Sequence, residues 1–206
     1  EDGKTMQPVN RHGIQTLSIG DLVDEDTAMI WRGPMINQTL LQLYRETRWH
    51  DLDYLIIDLP PGTGDTQLTL AQQIPVAGAV IITTPQDIAL LDAKKAKTMF
   101  DKVNIPILGL VENMSVYICP NCGHEAHIFG KDGAKNLAKE MNCPLLAQIP
   151  LVQSICENGD KGEPSAVNID SITGQAFINL AQAVVTVVNR RNKEQAPTKI
   201  VGVKNE

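Results

Sequence analysis

The sequence predicts an α/β fold, a mostly parallel sheet with helices on both faces. Apolar, β-branched runs alternate with segments of helical period, the pattern of parallel strands joined by crossover helices. Most of the helical segments open or close on Asp, Pro or Gly. The chain has 206 residues, 43% of them hydrophobic and 20% charged, enough for one sizeable core without requiring a second.

In chain order, strands are predicted at 13–19, 54–59, 77–83, 107–111 and 145–149. Helices are predicted at 35–49, 65–73, 88–103, 132–141, 152–158 and 172–191. Asp65 caps the second of these, because Thr-Gln-Leu-Thr-Leu follows it with helical spacing. One domain is expected over 1–191. The polar stretch 192–206, which contains a Pro, reads as a flexible tail.

A net charge of −6 and a pI near 5.2 argue against unassisted adhesion to nucleic acid or to an anionic membrane. No apolar run approaches the length of a bilayer span, and the opening EDGKTMQPVN lacks the basic and apolar regions of a signal peptide. A cytoplasmic address is therefore expected. The four cysteines stand at 119, 122, 143 and 156. Only the first two are closely spaced, which points to metal or redox chemistry rather than a disulfide framework.

In an open parallel sheet ligands bind beyond the carboxyl ends of the strands. Four predicted strand ends are polar or rigid: Asp58 with LPPGTG, Thr83 with TPQD, Glu112 with NM, and Ile149 with PL. Asp58, closing YLIID, has the Walker B arrangement, a carboxylate that holds magnesium beside the β- and γ-phosphates. Gly62 and Gly64 let backbone N–H groups approach a phosphate. An Asp at this place is equally often a cap for the next helix. The complementary phosphate cradle, G-x-x-x-x-G-K-[ST], is absent from the sequence, and Gly3-Lys4-Thr5 mimics only its last residues.

CPNCG, residues 119–123, places two thiols on a tight turn so that both sulfurs can face one metal. Three readings are open. His124 and His127 could complete a zinc site within one chain, the pair could be a redox dithiol, or two chains could each give Cys119 and Cys122 to one shared cluster. The last supplies four thiolates with no further residue. Cys143 and Cys156 read as small core residues.

MIWRGPM (29–35), the long run 53–100, GLVENMSVYICPNCG (109–123), HIFG (127–130) and IPLVQSICENGDKGEP (149–164) together resemble the Mrp/ApbC family of iron–sulfur cluster carrier ATPases. That family lies in the deviant-Walker branch of P-loop NTPases with MinD and ParA. The resemblance implies a P-loop NTPase-like fold truncated at its N-terminus, since the family's phosphate loop would precede Glu1, and this chain alone is not expected to hydrolyse ATP. It implies a homodimer that binds ATP with Mg, holds a 4Fe-4S cluster between protomers and passes it to apo iron–sulfur proteins. It places Asp58 at the Walker B aspartate, Gly62 in the second switch loop, Asn113 at the adenine-reading position, and Cys119 and Cys122 at the cluster ligands. The alternatives are a positioning ATPase of the MinD or ParA kind and a zinc-stabilised interaction module without turnover.

Overall fold

A computed structural model describes residues 5–22, 33–59, 64, 67–68 and 72–195. The chain forms two compact units, Glu1–Ile74 and Pro75–Glu206.

In the first unit, β1 (Val9–Arg11) pairs antiparallel with β2 (Ile14–Thr16). The turn between them uses His12 at φ 52° and Gly13 at φ 79°. Two successive positive φ values match the twist of a two-residue hairpin. The strand expected over 13–19 is thus half of a hairpin, followed by a short 3-10 turn at Ile19–Leu22. Helix α1 (Gly33–Glu46) ends three residues earlier than expected. There the Thr47 hydroxyl donates to the Leu43 carbonyl at 2.6 Å, and Met6 exchanges backbone bonds with Glu46 and Arg48 at 2.8 and 2.9 Å. The Gln15 amide holds His50 through both its N–H and its carbonyl.

The strand expected at 54–59 does not form: among the described residues it has no ladder partner, and Tyr54, Leu55 and Ile56 are exposed. An apolar β-branched run becomes a strand only when a neighbour takes up its N–H and C=O groups. Of the helix expected at 65–73, residues 67–68 and 72–73 are helical and the others lie outside the described residues.

The second unit is built on a three-stranded parallel sheet in the order β3 (Ala79–Thr83), β4 (Ile107–Glu112), β7 (Leu145–Gln148). These match the runs expected at 77–83, 107–111 and 145–149. Every residue of β4 after Ile107 is buried. Side chains alternate across a strand, so continuous burial means that both faces of β4 are covered. Leu110 and Val111, 0% and 2% exposed, anchor this core. Gly78 and Gly109 let neighbouring strands close up: a Cβ on either would stand 2.7 or 2.6 Å from Leu108 or Leu146.

Helix α2 (Asp87–Lys102) covers β3 through Ala93, Met99 and Phe100, and α3 (Gly133–Glu140) covers β4 with Ala134, Leu137 and Ala138. Both end in the same way. Asn104 and Asn142 take left-handed backbone at φ 57° and 52°, and the next N–H groups, of Ile105 and Cys143, reach back to Phe100 and Ala138 at 3.0 Å. This is a Schellman closure, and Pro106 and Pro144 then start the following strand. Cys143 is therefore the half-buried residue that completes a helix end.

Helix α4 (Gln153–Asp160) and a short 3-10 turn, Ser165–Val167, lead into α5 (Ile172–Glu194), which packs on β7 and β4. The Ser171 hydroxyl caps α5 by accepting the Gly174 N–H at 2.9 Å. With 23 residues and an 18-residue stretch of mean hydropathy 1.2, α5 is, by length and composition, the one described helix long and apolar enough to cross a membrane, contrary to the expectation that no run comes near that length. It packs on the sheet along one face and carries Gln175, Asn179 and Gln182, and 17% of its apolar stretch is buried.

Candidate functional site

The carboxyl ends of the three parallel strands share one rim. The Asn113 N–H donates to the Thr83 carbonyl at 2.8 Å, and the Ile149 N–H to the Glu112 carbonyl at 2.8 Å. So TTPQD, ENM and IPL meet there, as expected for this type of sheet. Asn113 is half-buried, and its carboxamide oxygen accepts the N–H of Met114, a residue with φ 55°. That bond holds the side-chain oxygen and leaves the two amide N–H groups as its remaining donors.

Glu112 was read only as part of a strand end, yet it organises the rim. It is fully buried, and its two carboxylate oxygens accept the Ala134 N–H and the Gln148 side-chain N–H, each at 2.7 Å. Asp132, which precedes α3, makes no side-chain cap. The carboxylate of Glu112 takes that place from another strand, satisfying a free N–H at the positive end of the helix. The signal in the sequence is an acid closing the otherwise apolar run ILGLVE.

From the rim the chain runs directly to the cysteines. The Ser115 N–H and hydroxyl donate to the Ile149 carbonyl at 3.0 and 3.1 Å, and the Leu151 N–H donates to Val116 at 2.8 Å. Strand β5 (Tyr117–Ile118) then pairs antiparallel with β6 (Glu125–Ala126), and CPNCG is the loop between them. This hairpin was not expected from the sequence. It is closed by the Cys119 N–H on the His124 carbonyl at 3.0 Å and the Gly123 N–H on the Cys119 carbonyl at 2.9 Å, with Gly123 at φ 70°. A positive φ there suits glycine.

Cys119 is half-buried and Cys122 exposed. The backbone N–H groups of Asn121 and Cys122, then the Cys122 side chain, hold the Cys119 thiol below its usual range. Donors aimed at sulfur favour the thiolate, the form that binds metal. The donor set and loop therefore fit a thiophilic metal group. His127 turns away from that role: its Nδ1–H donates to the Ser115 carbonyl at 3.2 Å, tying the end of the hairpin to its beginning. Among the described residues no three His, Cys, Asp or Glu side chains gather as a metal site. Asp58 lies in the first unit as an exposed carboxylate, and Gly62 lies outside the described residues.

A parallel sheet with helices packed on it and a polar rim at its carboxyl ends is an α/β architecture of the P-loop NTPase type. The family model for the NUBPL iron-transfer P-loop NTPases, within ParA, matches residues 1–185, and the chain belongs to this family. The "Iron-sulfur cluster carrier protein" of Escherichia coli K12 is 59% identical over 167 residues, covering 81% of this chain and 45% of that protein. The mouse "Iron-sulfur cluster transfer protein NUBPL" is 48% identical over 181 residues, 87% of this chain and 57% of its own length. A nucleotide-binding protein from Archaeoglobus fulgidus, solved with ADP, superposes with a TM-score of 0.66 at 35% identity, covering 79% of this chain and 63% of that one. The chain thus spans about half the length of the curated relatives it matches.

Proposed function

We propose that this chain acts as a cytoplasmic iron–sulfur cluster carrier, with a 4Fe-4S cluster as cargo held between two copies by Cys119 and Cys122 of each. The observation that carries this is the CPNCG hairpin, in which two thiols share a turn and backbone N–H groups favour the thiolate of Cys119. Two thiolates leave an all-cysteine cluster half ligated, and a second copy completes the set.

Transfer is then ligand exchange without redox change. A thiol of the recipient apo-protein replaces a carrier thiolate on iron, and the proton it gives up passes to the departing Cys119 or Cys122. Exposure of Cys122 lets the incoming thiol reach it.

A nucleotide is the second ligand of this reading, ATP with magnesium. The family resemblance assigns Asn113 to the adenine, which its amide N–H groups suit, and makes Asp58 and Gly62 the family's magnesium and γ-phosphate positions. Names of the relatives support the cargo, and the ADP complex of the Archaeoglobus fulgidus protein supports the nucleotide.

Anaerobic reconstitution tests the cargo. About four irons and about four sulfides per two chains are expected. Cys119→Ser and Cys122→Ser should each abolish that loading, and unchanged loading in both overturns the reading. One zinc per chain in the protein as isolated would favour the zinc module instead.

A further inference from the structure

Beside the cysteine hairpin lies an open cleft of about 720 Å³ between the hairpin, the end of β7 and the first turns of α5. Its volume lies within the range of ligand-binding clefts, roughly 300–1,000 Å³. The walls are of two kinds. Ile118 and Ile172 supply apolar surface, and Ile172 is 76% exposed. Glu125, Asp132 and Asp170 supply carboxylates, and no Lys or Arg is among the lining residues. Asp132 pairs with Lys135 at 3.4 Å. Glu125 and Asp170 have no ion pair with any described residue.

We propose that this cleft docks a short cationic segment of the recipient protein, one in which Lys or Arg alternates with aliphatic residues. The proposal rests on the carrier reading, because the cleft adjoins Cys119 through Ile118 and a segment seated in it holds the recipient's thiols close to the cargo. Charge complementarity selects the occupant. Unpaired carboxylates above an apolar floor attract a cation with an aliphatic stem, and they repel the surface of another acidic chain. A second copy of this chain, net charge −6, is the poorer match.

The test is fluorescence anisotropy of the full chain with two labelled peptides, one alternating leucine and lysine, the other leucine and glutamate. The lysine peptide should bind, more weakly as salt rises, and the glutamate peptide should not. Asp170→Lys should weaken the lysine peptide by about tenfold. Ile172→Ser should weaken it too, without the change in salt dependence; both positions are exposed, so the fold survives either change. Equal binding of both peptides, or undiminished binding by Asp170→Lys, overturns the proposal. So does a change in the sedimenting mass of Asp170→Lys with peptide affinity intact, which assigns the cleft to a second copy. Iron and sulfide loading on the same samples separates the two readings. Normal loading without peptide binding removes only the docking site. Absent loading with peptide binding intact removes the carrier reading and leaves a cationic-peptide cleft.

Discussion

Cys119 and Cys143 are pushed in opposite directions. Backbone N–H groups of Asn121 and Cys122 lower the thiol of Cys119, whereas burial raises that of Cys143 against the opposing charge of Lys97. A lowered thiol carries more thiolate at a given pH, so Cys119 stays reactive as the solution is acidified while Cys143 loses reactivity first. Iodoacetamide labelling of the apo-protein, followed peptide by peptide in a mass spectrometer, should show Cys119 modification rising at lower pH than that of Cys143. Coincident profiles would remove the argument that the loop prepares Cys119 for metal. CPNCG was legible because its chemistry is local to five residues. Asp58 was legible as a residue type but not as a site, because its neighbours are not set by its own stretch of chain.

Glu112 joins three elements: β4, which carries it, β7 through Gln148, and the start of α3 through Ala134. Both of its partners donate an N–H to it, so each carboxylate oxygen accepts one bond. Glu112→Gln exchanges a charge-assisted bond for a neutral one, with the Gln148 amide free to turn its oxygen toward the new NH2, whereas Gln148→Glu sets an exposed carboxylate against the buried one. Gln148→Glu should destabilise the chain by about 1–3 kcal/mol, and Glu112→Gln by less. The double variant Glu112→Gln with Gln148→Glu exchanges donor for acceptor and should recover most of the loss in thermal or urea unfolding. Purely additive losses would show that the pair is not coupled.

This clasp also marks the limit of what could be read in advance. Strands β3, β4 and β7 were legible because buried parallel strands are continuous apolar runs. The segment 54–59 has the same composition and forms no ladder, since composition records hydrophobicity and not the presence of a partner. The β5–β6 hairpin was hidden for the opposite reason: two residues per strand carry no period, and the pairing follows from the loop they flank.

At the scale of the molecule, large apolar side chains remain uncovered, among them Ile56, Ile82 and Ile88 at 80%, 65% and 70% exposure. Where such side chains lie together they mark places at which other chains bind. In the carrier reading one such chain is a second copy, joined through the cargo. Sedimentation should therefore show the mass doubling on cluster loading and returning when iron is chelated. Cys119→Ser should remain at the lower mass throughout. A loaded protein that sediments at the mass of one chain would place all the cluster ligands within a single chain and overturn the shared-cluster reading.

The cysteine hairpin has its own kinetic character. Its ladder is two residue pairs long, and it joins the sheet through Ser115, Val116 and Leu151. Short ladders open far more often than the core beneath them. In the carrier reading, the loop that grips the cargo can therefore breathe while β3, β4 and β7 stay folded. Amide exchange should be fast over residues 117–126 and slow along β4. Letting go then costs a local opening, and a carrier built this way can be emptied repeatedly without being unfolded.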